Sequence, residues 1–169
     1  MRVAIHWCVA SVLLTMIAVG TAAARDVRKV GSPASTKDPG TYSGGEPEFG
    51  PVEAQTRKFI EYNRTIRLTP AQQSVKDEAL SELKAVCCDD FPASTCCCPC
   101  NFSKSLWGMA NHLIADEGHD SAQVRNAAKL WVAYVNPSGF SGDVCKAGGC
   151  DLPFARNGCG GMDENDIQF

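Results

Sequence analysis

Leu68-Thr69-Pro70-Ala71-Gln72, followed by Val75, Ala79, Leu83 and Val86 and then by Cys87-Cys88, is the stretch that decides the fold. Thr69 is a capping residue, Pro70 fits the first helical turn, and Gln72 completes a capping box. The four apolar residues recur at helical spacing and make a stripe for one buried face. The pattern predicts an amphipathic helix that delivers the chain directly to Cys87-Cys88.

The same texture extends in both directions. Upstream, Val52, Phe59, Ile60 and Ile66 suggest a first helix. Downstream, Asn101 or Ser103 can cap a third, whose inner face is Leu106, Ala110, Leu113 and Ile114 with Trp107 beside them. Gly118 stops it. Asp120 and Gln123 form a second capping box for a fourth helix, lined by Val124, Ala127, Ala128, Trp131 and Tyr134 or Val135. Asn136-Pro137 ends it. The remainder reads as loop, rich in glycine and carrying Cys145, Cys150 and Cys159. No alternating pattern is long enough for a sheet. The fold expected is all-α: a small three- to four-helix bundle over residues 51–169 with a cysteine-rich, glycine-rich C-terminal loop. A single core of this size is modest and often needs staples.

Two segments precede that domain. Residues 1–24 run from Met1-Arg2 through an almost uncharged stretch to Thr21-Ala22-Ala23-Ala24, the plan of a secretory signal peptide. Cleavage is expected after Ala23 or Ala24, and Cys8 leaves with the leader. A membrane anchor would need about 20 apolar residues, for which the run is marginal, and no second apolar run follows. The mature protein is expected to be exported, periplasmic or extracellular, without a membrane anchor. Residues 25–50 are rich in Gly, Pro and Ser and read as a flexible linker. Losing Arg2 moves the formal charge from -3 to -4. An acidic chain argues against nucleic acid as a partner, because phosphates demand a basic face.

Ten cysteines stand in the chain, and six of them lie in Cys87-Cys88-Asp-Asp-Phe-Pro-Ala-Ser-Thr-Cys96-Cys97-Cys98-Pro99-Cys100. Three chemistries use thiols this crowded. The first is disulfide stapling, which export permits. Each bridge would constrain the unfolded chain by roughly 2–4 kcal/mol. Bridged residues need converging Cβ vectors, however, and Cys96-Cys97-Cys98 point in different directions. Nine mature cysteines are also an odd number. The second is a soft-metal site, since thiolates select Cu(I), Zn or Hg-like ions. Cys98-x-Cys100 and Cys97-x-x-Cys100 have chelating spacings, with Cys87 or Cys88 closing the site. Met109, His112, His119 and Met162 are further donors, but lone histidines more often face solvent and methionines more often pack. The third is thiol–disulfide exchange at Cys97 and Cys100, a C-x-x-C before a helix whose N-terminus lowers a thiol pKa.

Asn63-Arg-Thr65 and Asn101-Phe-Ser103 match glycosylation acceptors, but chance explains them better inside helix or cluster. Asp89-Asp90 offers hard ligands; a solvated turn is the plainer reading.

The segment from Cys97-Cys98-Pro99-Cys100-Asn101-Phe102-Ser103 through Glu117-Gly118-His119-Asp120-Ser121-Ala122-Gln123-Val124 to Tyr134 resembles the N-terminal domain of CcmH-type cytochrome c maturation proteins. That resemblance implies a three-helix bundle and a thiol oxidoreductase activity at Cys97 and Cys100, toward a protein thiol substrate. This sequence departs from the family at Cys96, where an arginine is usual, in lacking the membrane anchor, and in its seven further mature cysteines. The Gly158-Cys159-Gly160-Gly161-Met162 element is similar to one in uncharacterised exported cysteine-rich bacterial proteins, which implies no activity.

The reading preferred from sequence is an exported protein that binds a soft metal ion, Cu(I) first and then Zn or an Hg-like ion. Its ligands are Cys96, Cys97, Cys98 and Cys100, with Cys87 and Cys88 closing the site. The alternatives are the thiol oxidoreductase and a disulfide-stabilised interaction module.

Overall fold

The computed structural model describes residues 47–169. The expected leader and nearly all of the expected linker lie outside the described residues. Within them the chain is mostly helical: α1 (Val52–Thr65), α2 (Pro70–Ser81), α3 (Asn101–Ala115) and α4 (Ser121–Val135). No described helix is long and apolar enough to cross a membrane.

Both expected capping boxes form. The Gln72 N–H donates to Thr69 Oγ1 at 3.4 Å and the Thr69 N–H donates to Gln72 Oε1 at 3.0 Å. At α4 the Gln123 N–H donates to Asp120 Oδ1 at 2.9 Å and the Asp120 N–H donates to Gln123 Oε1 at 3.0 Å. Each box satisfies two amides that a helix start leaves without intrahelical partners.

The core is centred on α3, whose residues Leu106, Met109, Ala110, Leu113 and Ile114 are all buried. Trp131 of α4 is fully enclosed, with the rings of Phe49 and Phe59 edge-on to it, both at 5.1 Å. Its indole N–H donates to Ser105 Oγ at 3.2 Å, so the ring is buried with its polar atom satisfied. Phe49 belongs to the stretch expected as linker, so the packed domain begins before residue 51. Helices α1 and α3 meet at Gly108. A Cβ there would fall 1.7 Å from the Phe59 carbonyl oxygen and 2.6 Å from the Asn63 nitrogen. The crossing therefore admits no side chain at this position.

Three features differ from the sequence expectation. First, α2 ends at Ser81 and does not run into Cys87-Cys88. A two-stranded antiparallel sheet intervenes, β1 (Lys84–Ala85) and β2 (Cys88–Pro92), with Ala85 opposite Cys88. Leu83 and Val86 lie outside the helix. From Lys84 burial alternates, with Ala85 and Cys87 buried, Lys84 exposed and Val86 half-buried. A period of two has taken over from one of 3.6, and Leu83 satisfies both. Secondly, neither Asn101 nor Ser103 is the N-cap of α3. Cys100 holds that position without a side-chain cap. The Asn101 N–H instead donates to the Gly161 carbonyl at 2.9 Å, and the Phe102 N–H to the Cys159 carbonyl at 3.1 Å. Thirdly, the C-terminal segment beyond α4 is packed. Its Val144 and Phe154 are each 1 % exposed. Phe154 meets the Phe102 ring edge-on at 5.8 Å and lies against Gly160, where φ is +73° and a Cβ would strike the ring at 2.4 Å. Only glycine suits that position.

Candidate metal centre

Backbone bonding assembles the cysteines. Cys87 sits in the turn of the β1–β2 hairpin, and Cys88 opens β2. Cys96, Cys97 and Cys98 follow a short 3₁₀ turn, Ala93–Thr95, and Cys100 heads α3. The C-terminal segment then returns to this corner. The Cys145 N–H donates to the Cys87 carbonyl at 3.1 Å, the Cys159 N–H to Gly149 at 3.1 Å, and the Gly161 N–H to Cys150 at 2.8 Å. Asn101 Nδ2 donates to the carbonyls of Gly160 (2.9 Å) and Asp163 (2.8 Å). The carbonyls of Gly161 and Cys159 accept from the Asn101 and Phe102 amides, which would otherwise be free at the start of α3. The result places Cys159 beside Cys100.

All nine cysteines among the described residues are free thiols. Their sulfurs form three groups, each with its sulfurs within 4.8 Å of one another: Cys87, Cys97, Cys98 and Cys145; Cys87, Cys100 and Cys159; and Cys145, Cys150 and Cys159. In the first group the Cys98 and Cys145 sulfurs are 3.5 Å apart, and those of Cys97 and Cys98 4.0 Å. Cys96 lies at the edge of the second, its sulfur 2.8 Å from Cys87. Cys88 bonds to Cys97 through its thiol. Of the six ligands expected from sequence, Cys87, Cys97, Cys98 and Cys100 enter three- or four-sulfur groups, and Cys88 and Cys96 flank them. Cys97 and Cys100 do not share a group.

The thiols polarise one another. Cys100 is held well below the ordinary cysteine range by hydrogen bonds from Cys159, Cys87 and Cys96, which outweigh its burial. Donating to it raises Cys87, Cys96 and Cys159. Cys97 is pushed up by desolvation, but bonds from Cys88, Cys98, Cys145 and Cys87 outweigh that and lower it. Cys88 is pushed up to about 11, chiefly by its bond to Cys97. Desolvation, then the bond to Cys150, takes Cys145 to about 11. Desolvation likewise raises Cys98. The first two groups thus each favour one thiolate, Cys97 on the exposed side and Cys100 inside.

The other donors stand apart. Met109 is packed in the core. Neither histidine joins a sulfur group. His112 bonds to Asp116 at 2.7 Å and stacks on Tyr62, with ring centroids 4.5 Å apart. His119 is 8 % exposed rather than solvated, and its Nδ1 lies 3.1 Å from the Leu113 carbonyl oxygen. Asp90 is an exposed partner of Lys146 at 3.0 Å, and Lys146 also reaches Asp143 at 2.9 Å. Asn101 is fully buried, which no glycosylation acceptor is.

Cys145, Cys150 and Cys159 join the sulfur groups, although the sequence pattern places them in a loop. The available signal was the Gly158-to-Met162 run beside a cysteine, dense in glycines that allow close backbone approach.

The chain matches no protein-family model, no curated protein and no solved structure. The cysteine corner therefore stands as the basis for a functional reading.

Proposed function

We propose that the protein binds a soft metal ion, Cu(I) in first place, through its thiolate cluster in an exported compartment. The observation that carries this is the convergence of sulfurs from the hairpin turn, the start of α3 and the C-terminal segment into three mutually close groups. Thiolate sulfur selects Cu(I), Zn and Hg-like ions over hard cations. Metal–sulfur bonds of about 2.3 Å place tetrahedral sulfurs about 3.8 Å apart and trigonal ones about 4.0 Å apart. The distances of 3.5 and 4.0 Å in the first group already approach those edges. The basic, apolar and small-residue sections of residues 1–24 support export.

A second reading has its own observation. Among the described residues Cys97 is the exposed cysteine and its pKa is lowered, which suits nucleophilic attack on a disulfide. In that reading the protein is a thiol oxidoreductase of the kind the CcmH resemblance implies.

One experiment separates the readings: thiol counting and native mass spectrometry of the protein taken from its own compartment, before and after a strong chelator. Bound metal, with thiols released on chelation, is the expected result. One labile disulfide involving Cys97, without metal, supports exchange. Four stable bridges and one free thiol would sink both.

A further inference from the structure

The three sulfur groups are not separate. The first and second share Cys87, the first and third share Cys145, and the second and third share Cys159. Four other cysteines belong to one group each: Cys97 and Cys98 to the first, Cys100 to the second, Cys150 to the third. Every pair of groups thus meets at one sulfur, and no sulfur serves all three.

A thiolate sulfur has lone pairs enough to bind two cations at once. If each group holds one ion, the shared sulfurs become bridges, and three ions and three sulfurs alternate around a closed ring. The second and third groups then give each ion two bridging sulfurs and one terminal sulfur, a trigonal set. The first group gives two bridging and two terminal sulfurs, a tetrahedral set.

Resting on the soft-metal reading above, we propose that this protein holds a three-ion cluster, with Cys87, Cys145 and Cys159 bridging and Cys97, Cys98, Cys100 and Cys150 terminal. Cu(I) is the ion this donor pattern fits, because two of the three groups hold three mutually close sulfurs, whereas zinc in protein sites is almost always four-coordinate. Burial agrees with five of the seven roles, the exceptions being terminal Cys100, which is fully enclosed, and bridging Cys145, which is half-buried. Cys87 and Cys159 are fully enclosed, where an uncompensated thiolate is most costly. Those are the sulfurs that would touch two cations. Cys97 is exposed and Cys98 and Cys150 half-buried, as terminal ligands nearer solvent can be. Ions enter as the thiols lose their protons: up to seven protons leave for three cations, and no sulfur changes oxidation state.

The test is an anaerobic titration of the fully reduced chain with Cu(I), followed by X-ray absorption at the copper edge and repeated with Zn(II). Three Cu(I) per chain, taken up together, with a copper–copper scattering path and a mainly three-sulfur shell, is the expected result. Cys150→Ser should cost one ion. Cys159→Ser should cost two, because it leaves both three-sulfur groups with two sulfurs. Circular dichroism of each variant confirms helix content. A single Cu(I) per chain, or several without a copper–copper path, overturns the cluster and leaves the soft-metal reading standing. No Cu(I) or Zn(II) uptake overturns both. Equal losses from Cys159→Ser and Cys150→Ser overturn the bridging assignment.

Discussion

Cys88 and Cys145 hold their protons to about 11, against 9.0 for an ordinary cysteine thiol. A folded state that binds a proton more tightly than the unfolded chain gains stability from it below the unfolded pKa. That gain is lost as pH rises through the folded value. Cys97 and Cys100 have the opposite sign: lowered in the fold, they contribute above the ordinary thiol pKa and cease to as pH falls through their folded values. The raised thiols outnumber the lowered ones. The reduced, metal-free protein should therefore lose thermal stability between about pH 9 and about pH 11. The measurement is Tm across that window under reductant. The decline should shrink in Cys145→Ser, and a flat Tm from pH 8 to pH 11 would refute the assignment. With metal bound the ligand protons have already left, so the decline should shrink to the share of Cys88, which is not a ligand.

At the scale of elements, the contact of α1 with α3 turns on Gly108. An alanine methyl there would lie 1.7 Å from the Phe59 carbonyl oxygen, a backbone atom that cannot swing aside. Overpacking in a well-filled core costs about 1–3 kcal/mol and sometimes more. Gly108→Ala should sit at or beyond the upper end, because a helix axis must move. Urea unfolding of the variant is the check, and a loss under about 1 kcal/mol would show that the crossing is looser than drawn. Nothing in the sequence marks Gly108, since it sits inside an apolar run where alanine would fit the helix better. The helices themselves were legible. Thr69 with Gln72 and Asp120 with Gln123 are local signals, complete within four residues, and both boxes formed. The hairpin was not legible, because Leu83 serves the helical and the alternating pattern equally and Cys87 completes either. The cap of α3 is hidden from local sequence for a related reason. Its partners are the carbonyls of Cys159 and Gly161, which local sequence cannot supply. Three of the seven clustered cysteines share that origin. The dense thiols from Cys87 to Cys100 announce themselves, but Cys145, Cys150 and Cys159 join them only because the C-terminal segment caps a helix far behind it in sequence.

At the scale of the whole molecule, that return of the chain links stability to ligand binding. The C-terminal segment is held to the bundle by Phe154 against Phe102, by Asn101 bonding to Gly160 and Asp163, and by Lys104, which meets the Met162 carbonyl at 2.9 Å and Glu164 at 3.0 Å. It has no long helix or sheet of its own, so it is the part expected to open first, by local rather than global unfolding. Opening carries Cys145, Cys150 and Cys159 away from Cys87, Cys98 and Cys100. Any ion held among them stabilises the closed form alone. At a free metal concentration of about 100 Kd that stabilisation is about 2.7 kcal/mol, or roughly a hundredfold in the opening equilibrium. Hydrogen exchange reads it directly. The amides of Cys145, Cys159 and Gly161 bond within this corner, and those of Asn101 and Phe102 bond across to the returning segment. Their exchange should slow by about that hundredfold on Cu(I) loading and return to the metal-free rate with a strong chelator. Amides in the middle of α1 and α3, which do not depend on the segment, should change far less. Uniform slowing throughout the chain would mean that the segment and the bundle open as one unit. In that case the C-terminal segment belongs to the cooperative core and is not a flap fastened by metal.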